Sequence, residues 1–578
     1  MTDKFVDYLN SMNSADGNSS GSLAEVQVTN KFYKKIHVKR NLGDYIKKSI
    51  ENKEDKVFFI TGHAGDGKTS ILAQILKELG LLDNEGLKEY DEVRNDEYSV
   101  FYIKDMSELE SEKQEELIKK ALSIPDKGGS SIVISNTGPL IKTIKKIDER
   151  LESDVIEKLD SNDGENIDID GKKVSIINLA RIDNIDFVDE ILEKLIEDDF
   201  WTGCENCGKG EVCHIAFNRK LIKKYKTRVS KFIKSYYRWL YENDQRLTIR
   251  QIVAHMSYMI TANKCCGDIK RTNVKNQYKY IFNLANNLFG FQGITEDEKA
   301  VQIEAIKRLR TLNLDKISLD ADYELFVKND YSVLPAEIAE IVESRWSQYE
   351  RECREEGTKY KIFSRDKSIK IRKCIRRFYL VFGFNSNENK SDEIMNEIFG
   401  ETFTLYKNCI IKELNRQEIK EVKDIIFNAL RKLKFDGDES EKDRLYLTLK
   451  RHDGSFQSVM LIVGEVEKKN IEVKSKSIKK SFDDIANKNE LYLIKKGCRE
   501  KEYKLSYQLL EYFNSILKGA IETKTSPMIT CGIAKLDSWL MENYKYEEDD
   551  NKLELLIKTA SGIKRKSLEI EDKKIYVD

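Results

Sequence analysis

Hydrophobic residues change their spacing along this chain, and each change predicts a different kind of element. From Lys56 to about Ile182, short runs of β-branched and aromatic residues alternate with charged segments of helical period. Such alternation is typical of an α/β fold built on a parallel sheet. The predicted strands are 56–61 (KVFFIT), 99–104 (SVFYIK), 130–135 (SSIVIS) and 173–179 (KVSIINL).

The pattern becomes helical after about residue 215, as in 250–260 (RQIVAHMSYMI) and 279–291 (KYIFNLANNLFGF). From Tyr446 onward, alternating residues separated by turn residues predict strands again. Residues 9–22 (LNSMNSADGNSSGS) are rich in Ser, Asn and Gly and predict a mobile linker. We therefore expect a flexible N-terminal segment at 1–30, an α/β core at 31–195, a helical lid at 196–290, a helical region at 291–435 and an α+β domain at 436–578.

Composition and charge narrow the possible functions. At 578 residues and 67.3 kDa, the chain is too long for one ordinary hydrophobic core. Its 99 Lys and Arg balance its 100 Asp and Glu, so DNA contact requires a local basic patch. The N-terminus has no apolar signal region, and no apolar run approaches the roughly 20 residues of a membrane span. Because the ten scattered Cys do not resemble a disulfide framework, we expect a cytoplasmic protein without membrane contacts.

Gly62–Thr69 (GHAGDGKT) matches the P-loop pattern G-x-x-x-x-G-K-[ST], between a predicted strand and a predicted helix. In this pattern glycines let backbone N–H groups surround a phosphate chain, and the helix N-terminus adds the positive end of its dipole. Lys68 would reach the β- and γ-phosphates, and Thr69 would hold Mg²⁺. His63 and Asp66 occupy variable positions and receive no role. The residues expected to bind ATP are Gly62, Gly65, Gly67, Lys68, Thr69 and Ser70.

A P-loop that hydrolyses ATP also needs an acidic residue at the end of another strand. Asp105 follows the second predicted strand and is the candidate second Mg²⁺ ligand. The alternative is that Asp105 caps the helix predicted to begin at Met106, and one side chain could do both. Because residue 106 is not a carboxylate, Glu108 is the candidate base that activates water.

The ends of the next two predicted strands also carry candidate polar groups. Asn136 would stand beside the γ-phosphate, between the two preceding motifs, where ASCE-type ATPases have a sensor residue. The alternative is a turn-forming Asn. Arg181 either contacts phosphate or pairs with Asp183 or Asp186.

The predicted lid contributes Arg250, in the first turn of a helix behind Thr248. It resembles the sensor-2 arginine of AAA+ ATPases, which reaches back to the γ-phosphate. The alternative is an ordinary surface arginine. His255, alone within an apolar helix, is predicted to be a hydrogen-bonded core histidine.

Cysteines form a second constellation in the predicted lid. A C-x-x-C pair at 204–207 followed by Cys213 predicts a knuckle around a structural Zn²⁺, because thiolates at this spacing can share one tetrahedral ion. A set of free thiols beside a turn is the other interpretation. The predicted zinc ligands are Cys204, Cys207, Cys213 and Cys265, with Cys266 as the alternative fourth ligand.

A basic segment in the predicted helical region is a candidate DNA surface, because its side chains could neutralise several phosphates. The alternative is a solvated helix face paired with the acidic stretch 350–357 (ERECREEG) upstream. The cations of this segment are Arg365, Lys367, Lys370, Arg372, Lys373, Arg376 and Arg377.

The order of these motifs resembles the DptF-like P-loop ATPases of phosphorothioation-dependent restriction systems and related anti-phage ATPases. The segments that carry the resemblance are GHAGDGKTS, IKDMSE, VISNTGPL, IINLARID, the Cys knuckle and LTIRQIVAHM, within roughly residues 30 to 290. The resemblance implies an ASCE or AAA+-like P-loop NTPase core with a zinc-knuckle helical lid. It also implies an oligomeric ATPase that works with other defence-system subunits in DNA restriction, without a nuclease in this chain.

Two function classes remain open at this point. In the first, ATP hydrolysis drives the assembly or the DNA engagement of a defence complex. In the second, the chain is a STAND-like nucleotide-loaded scaffold in which ATP binding rather than hydrolysis is the switch. Steady-state ATP hydrolysis with and without duplex DNA distinguishes the two.

Overall fold

The computed structural model describes most of the chain, and the described residues form two compact units. One unit extends to Ile398 and the other begins at Phe399. The described residues are 4–13, 32, 36, 38–54, 56–82, 86–161, 166–205, 207, 210, 212–271, 278–312, 314, 317–358, 362–384, 388–435, 442–449, 458–478, 488–498, 501–520, 525–547, 552–559, 562–571 and 574–577.

A mixed sheet forms the centre of the first unit. Six described strands pair in the order β2-β3-β4-β1-β6-β5, and β7 and β8 form a separate hairpin. The strands β3, β4, β1 and β6 are parallel, whereas β2 and β5 add to the two edges in antiparallel fashion. The strands are β1 (Val57–Thr61), β2 (Tyr90–Arg94), β3 (Ser99–Ile103), β4 (Ser130–Ile134), β5 (Asn166–Ile169), β6 (Lys172–Asn178), β7 (Phe291–Gln292) and β8 (Thr295–Glu296).

The predicted α/β class and all four predicted strands are confirmed, with the correction that antiparallel edges make the sheet mixed. The four parallel strands are largely buried on both faces, as expected for a parallel sheet between helices. In β1, Phe58 and Ile60 pack into one core, and Val57 and Phe59 pack into the other. The strand therefore enters the loop at Gly62 from a position held on both sides.

Helices cover this sheet and continue beyond it. Those of the first unit are α1 (Lys4–Met12), α2 (Asn41–Glu51), α3 (Lys68–Glu78), α4 (Ser111–Ser123), α5 (Thr137–Ile147), α6 (Glu152–Ser161), α7 (Phe187–Ile196), α8 (Thr202–Glu205), α9 (His214–Glu242), α10 (Ile249–Thr261), α11 (Cys266–Arg271), α12 (Tyr278–Ile281), α13 (Leu284–Leu288), α14 (Glu304–Thr311), α15 (Ala321–Tyr323), α16 (Ala336–Ile341), α17 (Gln348–Thr358), α18 (Ile362–Phe382) and α19 (Glu388–Phe399), at the end of which the second unit begins.

Short turns of other helical types complete the first unit. The 3₁₀ turns are Met106–Glu108, Pro125–Lys127, Glu149–Leu151, Leu179–Arg181, Asp198–Phe200 and Ala300–Gln302, and the π-helical turns are Glu324–Lys328 and Val342–Ser347.

The N-terminal helix α1 departs from the predicted flexible segment. Phe5 and Leu9 are fully buried, and the ring of Phe5 lies 4.9 Å from that of Phe200 and 5.3 Å from that of Trp201. This apolar face docks the helix, so residues 9–13 are not part of a linker. Residues 14–30 lie outside the described part of the chain.

The second predicted helical stretch, 279–291, is interrupted. The helix α12 ends at Ile281, and Asn283 caps α13, since its side chain accepts a hydrogen bond from the Ala285 N–H at 3.0 Å. Gly290 then adopts a positive φ of 76°, which a residue with a side chain rarely takes. The apolar periodicity thus belongs to two short helices, of which α13 is buried.

The described residues of the second unit form four helices and antiparallel strands. Five described strands pair in the order β16-β15-β14-β10-β9, and three pair in the order β11-β12-β13. Its helices are α20 (Glu401–Ile411), α21 (Arg416–Phe435), α22 (Tyr507–Leu517) and α23 (Pro527–Tyr544). A 3₁₀ turn covers Lys468–Asn470. Its strands are β9 (Arg444–Thr448), β10 (Val459–Glu467), β11 (Ile471–Ile478), β12 (Lys488–Lys495), β13 (Glu502–Lys504), β14 (Lys552–Thr559), β15 (Gly562–Glu571) and β16 (Lys574–Val577).

The return to strands after Tyr446 is confirmed, but this unit begins before the predicted boundary at residue 436. The helices α20 and α21, which we expected in the helical region, pack on β12, β11 and α22. Within the described residues, every helix is too short or too polar to traverse a lipid bilayer.

Candidate functional site

Polar residues from three parallel strands meet at one edge of the six-stranded sheet. The loop 62–67 follows β1, Asp105 follows β3 by two residues, and Asn136 follows β4 by two residues. The strand β4 lies between β1 and β3, and the carboxyl ends of parallel strands share one edge. Asn136 therefore stands between the loop and Asp105, where the sequence pattern predicts it.

The loop between β1 and α3 depends on glycine for its backbone conformation. Gly62, Gly65 and Gly67 have φ values of 153°, 90° and 84°, in the region that residues with a Cβ avoid. A Cβ at Gly67 would meet nothing within 4 Å, so the backbone angle alone requires that glycine. A Cβ at Gly65 would come within 3.0 Å of the Thr248 Oγ1, so close packing requires glycine there as well.

Lys68 begins α3, and its side chain is only 8% exposed. Its Nζ donates to the Gly62 carbonyl at 2.7 Å, to the His63 carbonyl at 3.3 Å and to the Asn136 Oδ1 at 3.2 Å. These three described acceptors are two backbone carbonyl oxygens and one side-chain amide oxygen, and all three are uncharged. Burial lowers the pKa of Lys68, while the negative charges of Asp105 and Asp66 act to raise it.

Asp105 acts as a cap, which is one of the two predicted roles. Its Oδ1 accepts a hydrogen bond from the Ser107 N–H at 2.9 Å, at the start of the 3₁₀ turn Met106–Glu108. The predicted helix from Met106 instead begins at Ser111. The carboxylate is half-buried, and Glu108 is exposed in the same turn. Binding of Mg²⁺ by Asp105 and activation of water by Glu108 remain predictions.

Ser107 joins the ends of two strands, a role that the sequence analysis missed. Its Oγ accepts a hydrogen bond from the Asn136 N–H at 2.7 Å and lies 3.5 Å from the Ser135 Oγ. This contact fixes Asn136 relative to Asp105. A hydroxyl two residues after a candidate acidic ligand is a weak signal, because Ser is also a common turn residue.

Thr69 and Ser70 follow Lys68 in the first turn of α3. Thr69 is half-buried and Ser70 is 7% exposed. Both lie in the first turn of α3, where the positive end of the helix dipole favours an anion. Their contacts with phosphate and Mg²⁺ remain predictions.

Asp66, to which the sequence analysis gave no role, holds the loop in place. Its side chain is fully buried, and its Oδ2 accepts a hydrogen bond from the His63 N–H at 2.8 Å. The Oδ1 forms an ion pair with the Arg246 Nη1 at 2.7 Å. Asp66, at a variable position of the motif, is therefore a structural residue of the loop.

Arg246 connects the loop with the end of a second strand. Besides Asp66, it donates to the carbonyl of Leu179 at 2.7 Å and to that of Ile182 at 2.8 Å, in the turn after β6. Arg246 lies between α9 and α10, 180 residues from Asp66 along the chain. No local sequence pattern distinguishes Arg246 from other arginines, so only the folded chain reveals it.

The helix α10 begins directly against the loop. A capping box forms its start, in which Thr248 accepts from the Gln251 N–H and the Gln251 side chain accepts from the Thr248 N–H. The Arg250 N–H donates to the Gly65 carbonyl at 3.5 Å. The structure therefore brings Arg250 to the loop through its backbone, and the sensor role of its side chain remains a prediction.

Arg181 does not pair with either predicted aspartate. Its guanidinium contacts Asp160, and both side chains are exposed. Asp183 is instead buried and pairs with Arg238 at 2.5 Å. The predicted partners were neighbours along the chain, whereas the observed partners lie on α6 and α9.

Four of the described cysteines line one small cavity of about 20 Å³, together with Gly210, Ala216 and Ile269. The cysteines of this cavity, which we call the cysteine cavity, are Cys204, Cys207, Cys213 and Cys266. Cys266 occupies the place predicted for Cys265, because Cys265 instead precedes α11, where its N–H donates to the Asp268 Oδ2 at 2.9 Å. As they are placed, no three or more His, Cys, Asp or Glu among the described residues form a metal-binding group.

The two histidines near this cavity and in α10 are structural. His214 contacts the Thr261 carbonyl at 3.0 Å, and His255 contacts the Tyr237 hydroxyl at 2.8 Å and the Leu288 carbonyl at 2.9 Å. Burial lowers the pKa of both rings to about 4. The prediction of a core histidine at position 255 is confirmed.

The basic segment forms part of α18, and three of its arginines are engaged within the protein. Arg372 donates to the Glu350 Oε1 at 2.7 Å, in the acidic stretch upstream. Arg376 donates to the Asp322 Oδ1 at 2.7 Å and to the Ile317 carbonyl at 3.0 Å.

Arg377 is buried more deeply than these two arginines. It is 3% exposed, lies 3.4 Å from the centre of the Phe291 ring and donates to the Gly293 carbonyl at 3.0 Å. The alternative of a solvated face paired with the acidic stretch thus describes Arg372, whereas Arg376 pairs with Asp322 and Arg377 is buried. Arg365 and Lys370 are exposed, and Lys367 and Lys373 are half-buried.

Comparison of the chain with protein-family models, with curated proteins and with solved structures gave no match in any of the three.

Proposed function

We propose that this chain is the ATP-binding and ATP-hydrolysing component of a multi-subunit bacterial DNA restriction or anti-phage defence complex. The observation that supports the ATP site most directly is the setting of Lys68. Its ammonium is held by uncharged oxygens beside a glycine loop at a helix N-terminus. Such a cation keeps its full charge for an incoming anion, and phosphate is the anion that this arrangement suits.

In a P-loop NTPase of the ASCE or AAA+-like type, the remaining site residues each have a separate role in binding and hydrolysis. Backbone N–H groups of Gly62, Gly65 and Gly67 surround the phosphates, and Lys68 exchanges its carbonyl partners for phosphate oxygens. Thr69 and Asp105 would hold Mg²⁺, which neutralises phosphate charge when bound. Asn136, which already contacts Lys68, hydrogen-bonds the γ-phosphate or the attacking water.

Conformational change passes through the contacts between the loop and the lid. Arg246 ties Asp66 to the turn after β6, and the start of α10 lies on Gly65. A shift of the loop on nucleotide binding therefore changes contacts on α10 and on the turn together. In this proposal Arg250 closes on the γ-phosphate, and the motion controls assembly or DNA engagement.

The scaffold function is the second candidate, and the turn after β3 favours it. The Oδ1 of Asp105 is engaged as a cap, and Glu108 is exposed. A site with this arrangement binds ATP through Lys68 and the loop without a fixed base for water. ATP binding rather than hydrolysis would then be the switch.

The proposal extends to the partners of the chain. Other defence subunits, an oligomeric state and a cytoplasmic location rest on the sequence resemblance alone. DNA contact through α18 rests on its exposed cations Arg365 and Lys370.

The test measures ATP binding and steady-state hydrolysis, with and without duplex DNA. Lys68→Ala should weaken binding of Mg·ATP by about 100-fold or more, because it removes a charge from the phosphate site. Lys370→Ala, an exposed lysine on α18, is the matched control and should bind ATP as the unchanged protein does. Equal affinity in both variants would exclude the proposed site.

A further inference from the structure

A surface pocket of the second unit collects lysines from α21 and from the turn after β10. Its volume is about 480 Å³, within the range of about 300–1,000 Å³ that is typical of small-molecule sites. Among the described residues that line it, cations outnumber carboxylates. We call it the lysine pocket, and its cations are Lys420, Lys423, Arg444, Lys468 and Lys469.

Two of these cations are paired with carboxylates of β10. The Arg444 Nη1 lies 3.1 Å from the Glu465 Oε1, and the Lys469 Nζ lies 2.6 Å from the Glu467 Oε2. Pairing of this kind cancels most of the charge of both partners. The charge that the pocket offers to a ligand therefore depends on the other three lysines.

Lys468 is held in place by three contacts. Its backbone N–H donates to the Asp443 carbonyl at 2.8 Å, and its Nζ lies 5.8 Å from the centre of the Phe427 ring. The Nζ also pairs with the Asp424 Oδ1 at 2.8 Å. Because these contacts fix the side chain before any ligand arrives, Lys468 would lose little conformational freedom on binding one.

Lys420 and Lys423 have no such partners. They lie three residues apart on α21 and therefore project from the same side of the helix. Within the described part of the chain, neither ammonium forms a hydrogen bond or an ion pair. Lys420 is exposed, whereas Lys423 is half-buried. The lysine pocket thus contains two positive charges that no carboxylate neutralises.

Lys423 is also held close to other positive charges. Burial lowers the pKa of Lys423, and the charges of Lys468 and Lys496 lower it further. The carboxylates of Asp424 and Glu472 oppose this shift only in part. The ligand-free protein therefore keeps an unfavourable charge in the pocket, and a bound anion would relieve it.

We propose that the lysine pocket binds a small anion that carries two or more phosphate groups. Lys420 and Lys423 contact it directly, and Lys468 is a third donor. Ammonium groups suit phosphate because each is a compact charge with three N–H donors. The inference is independent of the ATP site, since every residue of that site belongs to the first unit.

The size and lining of the pocket favour more than one phosphate. Its volume is many times the roughly 30 Å³ that a water molecule occupies in the liquid. The Cβ atoms of residues three apart on a helix are separated by about 5–6 Å, so an anion with several charged groups can contact both unpaired lysines. The described lining contains no aromatic side chain, so charge rather than base stacking selects the ligand.

A nucleic-acid backbone is the other class of ligand that carries several phosphates. The exposed carboxylate of Asp443 lines the same pocket. A chain of phosphates that crossed the pocket would come against this carboxylate, whereas a small anion can occupy the side formed by α21 alone. The observations therefore favour the small anion.

The experiment titrates the full chain with inorganic pyrophosphate at low salt by calorimetry. The chain carries Lys68→Ala, so that phosphate binding at the ATP site does not contribute. Adding Lys423→Met should weaken pyrophosphate binding by about tenfold, because it removes one charge-assisted contact. Lys535→Met, at an exposed position of α23 outside the pocket, is the matched control and should leave the affinity unchanged. Inorganic phosphate should bind more weakly than pyrophosphate.

Three outcomes of this titration would overturn the proposal. They are the absence of pyrophosphate binding, equal affinity in Lys423→Met and Lys535→Met, and binding of phosphate as tight as that of pyrophosphate. Denaturant unfolding separates binding from folding, because Met keeps an apolar side chain while removing the unpaired charge. The ligand-free Lys423→Met protein should be at least as stable as its parent. A less stable variant with unchanged affinity would make Lys423 a structural residue instead.

A change of opposite sign tests whether charge selects the ligand. Asp443→Asn should strengthen pyrophosphate binding at low salt, since it removes a negative charge from the pocket. Weaker binding in this variant would contradict the proposal. Duplex DNA, titrated into the same proteins, tests the other class of ligand. DNA affinity that falls in Lys423→Met while pyrophosphate affinity does not would make the pocket a nucleic-acid surface and overturn the proposal.

Discussion

Lys68 at the sheet edge and Arg376 in α18 are both cations that the sequence offers as candidate phosphate ligands, and the structure surrounds them differently. Lys68 is held by two carbonyls and one amide oxygen. Arg376 is held by the carboxylate of Asp322 and a carbonyl. An ammonium among neutral dipoles keeps its net charge, whereas a guanidinium paired with a carboxylate does not.

The sequence patterns around Lys68 and in α18 differ in how well they predict a binding site. The glycines around Lys68 specify backbone angles, and those angles are local to the loop. The cluster of cations in α18 does not by itself indicate which residues it contacts. In the structure its partners lie within residues 286–350. A motif that constrains its own backbone therefore indicates a binding site more strongly than a segment with many charged residues does.

The largest effect should follow from Arg246→Met, which tests how the loop is held. The change leaves the buried Asp66 carboxylate without its cation, so stability should fall by about 3–5 kcal/mol. ATP affinity should fall with it, because the loop loses its anchor to the turn after β6. Denaturant unfolding and ATP titration measure the two effects. Arg365→Met, at an exposed position of α18, is the control and should change stability by less than about 0.5 kcal/mol.

A second change separates hydrolysis from binding at the same edge. Asp105→Asn should lower the turnover number by about 100-fold while ATP affinity changes only a few-fold, because Lys68 and the loop provide most of the binding. Glu108→Gln should lower turnover similarly only if Glu108 activates water. If defence against phage disappears in Lys68→Ala but survives in both carboxylate variants, the scaffold function replaces the motor.

The third change tests whether α18 is structural. Arg377→Met removes a buried guanidinium and leaves the Gly293 carbonyl without this donor, so the protein should lose about 2–3 kcal/mol of stability. Its ATP affinity should stay unchanged. Denaturant unfolding measures the loss, and a fully stable variant with weakened DNA binding would make Arg377 a phosphate ligand instead.

Measuring ATP affinity and stability over a range of pH distinguishes the buried Lys68 from exposed lysines. Burial lowers the pKa of Lys68, so the nucleotide-free protein loses this proton before an exposed lysine does. In that window the unfolded chain holds more protons, so the stability of the nucleotide-free protein rises with pH while ATP affinity falls. We expect ATP affinity to begin to fall below the pH range in which exposed lysines titrate, because burial lowers the pKa of Lys68. Lys68→Ala should remove this dependence, and Lys370→Ala should retain it.

The smallest effect concerns DNA. The double variant Arg365→Ala/Lys370→Ala should weaken duplex binding modestly and reduce the slope of log affinity against log salt by at most about 2, since each lost phosphate contact contributes about 0.9. Stability should not change, because both side chains are exposed. An unchanged slope would show that α18 does not face DNA.

The strands and the loop were predictable from sequence because their signals are local. A buried strand, a glycine loop and an amphipathic helix follow one another within 57–78 and specify their own geometry. The roles of Asp66 and Ser107 were missed because Asp and Ser have several different roles in short-range sequence patterns. The fourth cysteine was predicted as Cys265 with Cys266 as the alternative, because adjacent cysteines cannot be distinguished without the turn before α11.

The sequence by itself determined the α/β class, the loop that follows β1 and the order of candidate groups at the ends of the strands. These depend on hydrophobic period and on glycine angles, which act over a few residues. Only the tertiary structure decided that Arg246 holds Asp66, that Cys266 joins the cysteine cavity and that Arg376 and Arg377 belong to the protein interior. Ion pairs and cavities form between residues far apart in sequence, and the free energy of burial, which depends on the whole packed chain, selects those partners.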